Sequence, residues 1–111
     1  MDDELTKVAM QIILCAGDAR NKASDAVELA LAGNYEKAAA QFDEARHDLQ
    51  KAHKAQTEVI QAEAAGTKHD VTLLFVHAQD TLMTITSELN NYEQLVNAFR
   101  CLKGEIEKCK K

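Results

Sequence analysis

The chain contains no proline and no tryptophan, and of its 111 residues only 4 are glycine and 5% are aromatic. Proline and glycine interrupt helices, whereas aromatic residues favour strands. The sequence is instead rich in alanine, leucine, glutamate, lysine and glutamine, which lose little conformational freedom on entering a helix. The composition therefore predicts an all-α fold, and the length predicts a single domain over residues 1–111.

Two further absences exclude whole classes of function. No apolar run approaches the roughly 18 residues of a transmembrane helix, and the chain opens with Asp2, Asp3 and Glu4, unlike a signal peptide. The 18 acidic residues outnumber the 13 basic ones, giving a formal net charge of −5, without the basic stripe that nucleic-acid binding requires. We expect a cytoplasmic protein that neither inserts into a membrane nor binds nucleic acid.

The cysteines form no pattern typical of a structural site. Cys15, Cys101 and Cys109 contain no C-x-x-C pair and are odd in number, which disfavours both a zinc knuckle and a disulfide framework. We expect Cys15 to pack as a small hydrophobic residue, and the other two to have no role, in a reducing compartment.

Apolar residues recur at intervals of three and four along three segments, the spacing of one face of an α-helix. Gly33 and Asn34 separate the first two segments, and Gly66 and Asp70 separate the last two, as residues that end and begin helices. The pattern predicts helices over about 4–32, 35–65 and 71–108. Because short connections force neighbouring helices to run antiparallel, we expect an up-down-up three-helix bundle.

The third helix carries apolar residues on two sides. At 100° per residue one stripe faces the first two helices, whereas Leu73, Val76 and Met83 gather on nearly the opposite side. Two sibling helices can cover only the first stripe, so we expect the second face to meet another subunit. The first stripe consists of Val71, Leu74, Phe75, Ala78, Leu82, Ile85 and Leu89.

Two polar residues lie on or beside this second face. Asp80 lies within it, where a carboxylate is costly unless it is paired, protonated or bound to a metal ion. No lysine or arginine occurs between residues 69 and 99, so the helix itself offers no partner. His77 lies at the edge of the face, one turn earlier. By itself, a histidine in this position is more often a structural interface residue than a reactive one.

Four short segments follow one another along the chain: AGDAR at 16–20, AHKAQT at 52–57, QAEAAG at 61–66 and HAQDTLMT at 77–84. Together with LLFV at 73–76, they resemble the lactose/cellobiose family of enzyme IIA proteins of bacterial sugar phosphotransferase systems, in the family's order and spacing. HAQDTLMT resembles the family's active-site segment. Thr81 is a departure, because the family often has a second histidine there, and the tail from Ser87 to Lys111 is more polar than usual.

The resemblance implies a homotrimer of three-helix bundles that acts as a phosphocarrier in uptake of a β-linked disaccharide of the cellobiose, lactose or chitobiose class. His77 would accept a phosphoryl group from phospho-HPr in a groove between subunits. It would pass the group to a cysteine of the sugar-specific IIB component, which serves the membrane component IIC. The three Asp80 carboxylates would meet on the three-fold axis around one divalent cation, Mg²⁺.

The group that orients the His77 ring is left open by the sequence. Gln79 on the third helix, and His53 and Gln56 on the second, are candidates. His53 and Gln56 are equally compatible with a buried polar pair that sets the helix register.

Two other functions stay open on the sequence. A histidine phosphotransfer domain of two-component signalling is also a helical bundle with one reactive histidine. Such a domain has a lysine and a glycine shortly after the histidine, where this chain has Ala78, Gln79 and Asp80. A non-catalytic helical adaptor would account for the periodicity but gives Asp80 no purpose.

Overall fold

Three long helices make up most of the computed structural model, which describes residues 3–110; Met1, Asp2 and Lys111 lie outside the described residues. Helix α1 spans Asp3–Leu31, α2 spans Tyr35–Ala64 and α3 spans Leu73–Cys109. No strand occurs within residues 3–110, so the prediction of an all-α three-helix fold is confirmed. None of these helices has an apolar stretch long enough to span a membrane.

Both connections between helices pass through a glycine with a left-handed backbone. Gly33 has a φ of 89° and Gly66 a φ of 108°, values that residues with a Cβ atom rarely adopt. After α1 the Asn34 N–H donates a hydrogen bond to the carbonyl oxygen of Leu29 at 2.9 Å, and the end of α2 has the equivalent bond. Both ends are Schellman motifs, so the prediction that the two glycines end the helices is confirmed.

The helix starts differ from the prediction. Helix α3 begins after Thr72, whose hydroxyl oxygen accepts a hydrogen bond from the Phe75 N–H at 3.1 Å. Asp70, the predicted cap, lies two residues too early, and Val71 is exposed ahead of the helix rather than packed inside it. Asn34 is the residue before α2, as predicted, but its side chain makes no capping bond. Capping by Thr72 therefore starts α3 two residues later than the sequence indicates.

Small side chains allow α1 to approach its neighbours closely. Most of its buried residues are alanine, and the largest fully buried side chains of the bundle are Ile12, Leu82 and Ile85. Arg20 of α1 and Glu88 of α3 form a two-pronged ion pair, at 2.7 and 3.0 Å, so these turns of the two parallel helices lie beside each other. On α3 the predicted inner stripe is buried at Phe75, Ala78, Leu82, Ile85 and Leu89 and partly buried at Leu74.

The stripe of α2 was predicted less well. Along α2 the apolar residues at intervals of three and four include Ala39 and Ile60, which this spacing places on the buried stripe. Both are exposed, whereas Asp48 is only 8% exposed. Its carboxylate accepts a hydrogen bond from the Lys22 ammonium of α1 at 2.8 Å. A buried carboxylate is tolerated when it is paired in this way. Because its partner belongs to α1, the spacing of residues within α2 could not predict that Asp48 is buried.

Candidate functional site

The outer side of α3, near its start, is the apolar face predicted to need a partner. Leu73 is 85% exposed and Met83 66%, so neither α1 nor α2 covers them, whereas Val76, at 38% exposed, is partly covered where it borders Ile60 of α2. Asp80 and His77 are exposed on the same side of the helix. Phe75, Ala78 and Leu82 of the first stripe are buried against α1 and α2. The second apolar face lies on nearly the opposite side of α3, so it cannot face these helices as well. The second face is therefore a surface of the isolated chain.

Asp80 forms no ion pair with another residue of the described range 3–110. The ion pairs recorded within residues 3–110 link Arg20 with Glu88, Lys22 with Asp48, Arg46 with Glu93, and Lys108 with Glu105. None of them involves Asp80. The part of the chain that the structure describes also contains no cluster of three histidine, cysteine or acidic residues able to hold a metal ion. One chain supplies one carboxylate at this point, and any ion bound there needs ligands from other copies or from water.

His53 is directed away from His77 within the chain. Its Nε2 atom lies 3.2 Å from the Thr86 hydroxyl oxygen of α3, at hydrogen-bond distance. Thr86 follows His77 by nine residues, which at 100° per residue places it on the opposite side of α3 and about 13 Å further along the helix. His53 is also exposed, so it does not belong to a buried polar pair. In one chain His53 therefore does not orient the His77 ring.

Gln79 lies on the side of α3 that faces α2, and Gln56 lies on α2 itself. Gln79 lines a cavity of about 110 Å³ together with the apolar residues Ile60, Phe75 and Val76 and the polar residues Glu63, His69 and Asp70. Gln56 is partly buried and lies one turn after His53, on the same side of α2. Neither amide forms a recorded hydrogen bond to the His77 ring within residues 3–110. His77 precedes Glu88, the partner of Arg20, by 11 residues or about three turns, so it lies toward the α1 side of α3, and Gln79 lies at the other edge of the face.

Thr81 is a site residue whose contact the sequence did not indicate. Its hydroxyl donates a hydrogen bond to the backbone carbonyl oxygen of His77 at 2.8 Å. Threonine and serine in helices commonly make this bond to the residue four positions earlier. The spacing of Thr81 from His77 was the available signal, and the hydroxyl is engaged by the backbone rather than by the imidazole ring.

Comparison with known proteins shows a family likeness over nearly the whole chain. Residues 7–100 match the family model of the PTS system, Lactose/Cellobiose specific IIA subunit. The lactose-specific EIIA component of Lacticaseibacillus casei is 36% identical over 95% of this chain and 93% of its own length. The lichenan-specific IIA component of Bacillus subtilis is 46% identical over 75% of this chain and 76% of its own.

Solved structures give the same result at the level of the fold. The cellobiose-specific enzyme IIA of Bacillus anthracis superposes with a TM-score of 0.85 at 31% identity, covering 90% of this chain and 92% of that one. A chitobiose IIA of Escherichia coli, solved in complex with HPr, gives 0.78 at 35% identity over 89% and 96%. These likenesses define the class as a helical IIA component of a sugar phosphotransferase system. The chain belongs to the lactose/cellobiose-specific IIA family of that system.

Membership in this family decides between the alternatives left open by the sequence. A histidine phosphotransfer domain and a non-catalytic adaptor share the helical periodicity, but neither accounts for a family match over 7–100. The protein is a phosphotransferase component of sugar transport.

Proposed function

We propose that this chain, acting as one domain in the cytoplasm, is the phosphocarrier between HPr and a sugar-specific IIB component. His77 accepts the phosphoryl group from phospho-HPr and passes it to a cysteine of IIB, which serves IIC during uptake of a β-linked disaccharide of the lactose, cellobiose or chitobiose class. The observation that carries the proposal is the position of His77, exposed at the edge of an apolar face in the segment that resembles the family's active site.

The chemistry suits a neutral imidazole. A ring nitrogen of His77 attacks phosphorus, and a P–N bond forms as the bond between phosphorus and the donor breaks. In the second transfer the thiolate sulfur of IIB attacks the same phosphorus and the P–N bond to His77 breaks. The phosphoryl group moves and no oxidant or hydrolysis is needed. Exposure of the ring serves this sequence, because two different proteins must reach the same nitrogen in turn.

The surface around His77 is suited to protein partners. Leu73 and Val76 lie beside it on α3. Because Arg20 lies level with Glu88 and the two helices are parallel, the exposed Met10 of α1 lies level with the turn that contains His77. Such an apolar rim excludes water when a partner docks, which protects a labile phosphoramidate and strengthens the interactions inside. A chitobiose IIA relative has been solved with HPr bound, which supports HPr as the donor here.

The same proposal includes a homotrimer built on the second face of α3. Three-fold packing on Leu73, Val76 and Met83 would bury the exposed apolar surface and bring three Asp80 carboxylates near the axis. The donor set fits Mg²⁺, which prefers carboxylate and water oxygen. Such an ion would supply positive charge that offsets the repulsion among the carboxylates. His77, at the edge of the face, would then lie beside the α2 side of the next subunit, with its Gln79 and Gln56.

The direct experiment is incubation of the protein with phosphoenolpyruvate, enzyme I and HPr, followed by intact mass measurement. We expect a gain of about 80 Da that is lost in acid and survives base, as a phosphoramidate requires. Addition of the cognate IIB should remove the added mass. Absence of any gain with active HPr and enzyme I would contradict the proposal.

A further inference from the structure

A cavity of about 170 Å³ lies between the first three turns of α2 and the second half of α3. Tyr35, Ala39 and Phe42 line it from α2, and their spacing of four and three residues places them on one face of that helix. The side chains of Ala38 and Ala39 are short, so they leave the space between the two larger aromatic residues unfilled. The cavity therefore follows from the sizes of neighbouring side chains on α2.

This cavity is remote from the site of the proposed phosphoryl transfer. Its walls on α3 are formed by residues 93, 96, 97 and 100. Glu93 follows His77 by 16 residues, which places it about 24 Å further along α3 and on nearly the opposite side of the helix. A molecule bound in the cavity would therefore not touch the surface around His77, and the phosphocarrier function does not account for this cavity.

The inner wall of the cavity is apolar, whereas its rim is charged. Phe42 is 5% exposed and Ala38 2%, and Val96 of α3 is half-buried beside them. An apolar cavity of about 150 Å³ accommodates one benzene ring, so the inner part has the size and the lining for a single ring. The rim consists of Arg46 and Arg100 and of Asp43 and Glu93.

Only one of the two arginines is paired within the chain. Arg46 forms an ion pair with Glu93, whereas no ion pair of Arg100 is recorded within residues 3–110. The Arg100 guanidinium lies 4.4 Å from the centre of the Tyr35 ring. This cation–π contact holds the guanidinium at the cavity while its N–H groups stay available as donors. Arg100 is therefore a positioned cation without an anion in the described part of the chain.

The remaining polar groups indicate which anion suits the cavity. Asn97 precedes Arg100 by about one turn and lines the same cavity, so its amide N–H would add a donor beside the guanidinium. A guanidinium binds a carboxylate through two parallel N–H···O bonds. The carboxylates of Asp43 and Glu93 also line the cavity and would repel a dianion such as a phosphate monoester. The charges therefore favour a ligand with a single negative charge.

We propose that this cavity binds a small monocarboxylic acid that carries one aromatic ring. The ring would lie against Phe42 and Val96, and the carboxylate would accept hydrogen bonds from Arg100 and Asn97. The site is separate from the phosphocarrier function, so its occupancy can be measured without HPr, enzyme I or phosphoenolpyruvate.

Phenylacetate is the probe, and the backbone amide NMR spectrum of the ¹⁵N-labelled protein is the measurement. Phenylacetate should shift the signals of residues 38–42 and 96–100 saturably and leave those of residues 73–84 unchanged. Phenylacetamide has the same shape without the charge, and benzyl phosphate carries a second charge. Each should bind at least about tenfold more weakly. No saturation by about 20 mM, shifts centred on other residues, or an analogue that binds as well as phenylacetate would overturn the proposal.

Two charge variants test the role of Arg100. Arg100→Gln should weaken phenylacetate binding at least about tenfold, because the carboxylate loses its two charge-assisted hydrogen bonds. The matched control, Lys108→Gln, removes the same charge from an exposed position of α3 where the ammonium group pairs with Glu105. It should leave the affinity within about twofold. Equal losses in the two variants would show a general attraction to positive charge and would contradict a site at Arg100.

A third variant tests the place of binding without a change of charge. Ala39 is exposed at the mouth of the cavity, and Ala39→Leu should fill it and abolish the phenylacetate shifts. Circular dichroism should show the parent's helicity for all three variants, because each substitution lies at an exposed position. Binding to Ala39→Leu with the parent's affinity would show that the ligand lies elsewhere and would overturn the proposal.

Discussion

The Thr81 hydroxyl donates a hydrogen bond of 2.8 Å to the backbone carbonyl oxygen of His77. In the family that this chain resembles, a second histidine often stands at the position of Thr81, so this chain has a backbone-bonded hydroxyl there instead of a second imidazole. The hydroxyl satisfies a backbone acceptor and is not offered to the His77 ring. Any group that orients the ring must therefore come from elsewhere, and within residues 3–110 no side chain is recorded in that role.

His77 is expected to be the only phosphorylated residue. His77→Ala should fold with the parent's helicity yet gain no mass in the phosphoenolpyruvate assay, because it removes the nucleophilic nitrogen. His53→Ala is the matched control. The His53 ring lies beside Thr86 on the opposite side of α3, so each chain of this variant should gain the same mass as a chain of the parent. If His53→Ala were phosphorylated more slowly than the parent, His53 would have to act on the His77 of a neighbouring subunit. A label mapped to His47, His53 or His69 would make the assignment wrong.

The apolar face of α3 is expected to hold a trimer. Sedimentation equilibrium of the parent should report about three times the 12.3 kDa chain mass. Val76→Glu or Met83→Glu should dissociate it, because a charge buried without a partner costs several kcal/mol. Gln50→Glu, which adds the same charge at an exposed position of α2, should leave the mass unchanged. A parent that sediments as a monomer at micromolar concentration would exclude this assembly.

Asp80 is expected to lower the stability of the trimer. Three carboxylates about 4 Å apart, at an effective dielectric near 20, would cost roughly 4 kcal/mol per pair. Three pairs would cost about 12 kcal/mol, which is comparable to the whole folding stability of a domain. A divalent cation or a proton on at least one carboxylate relieves this repulsion, and Asp80→Leu removes it altogether.

The measurement is thermal unfolding with and without Mg²⁺. Asp80→Leu should remain a trimer, melt at a higher temperature than the parent and show no response to Mg²⁺ or a chelator. The parent should gain stability with added Mg²⁺ by mass action. If Asp80→Leu were destabilised or monomeric, Asp80 would have to be paired to a group other than its symmetry mates, and its place on the axis would be given up.

The start of α3 offers a test within a single chain. Thr72→Ala removes the acceptor for the Phe75 N–H and should lower the free energy of unfolding by about 1 kcal/mol. Asp70→Ala, the position that the sequence pattern favoured, should change it by a few tenths at most, because Asp70 lies two residues before the helix cap. Urea denaturation followed by circular dichroism distinguishes the two. Equal losses from both variants would show that Asp70 also contributes to the cap.

The sequence by itself determined the helical fold and most of its core, because both follow from local chemistry. Without proline and with few glycines, the chain has helix-ending residues mainly at Gly33 and Gly66. A period of 3.6 residues then sorts side chains by face, which identified Leu82 and Ile85 as core and Val76 as outward-facing. The same pattern singled out His77 and Asp80 as polar residues at or within an apolar face, whereas the roles predicted for them come from the resemblance to the family.

Only the tertiary structure decided the contacts made between helices. The buried pair of Lys22 and Asp48 and the contact of His53 with Thr86 each join residues far apart in sequence. Their existence depends on how the helices are set against one another along the bundle. Periodicity reports the direction in which a side chain points from its own helix but not which residue of another helix lies opposite. That relation appears only when the helices pack, since interlocking side chains fix how the helices lie along one another.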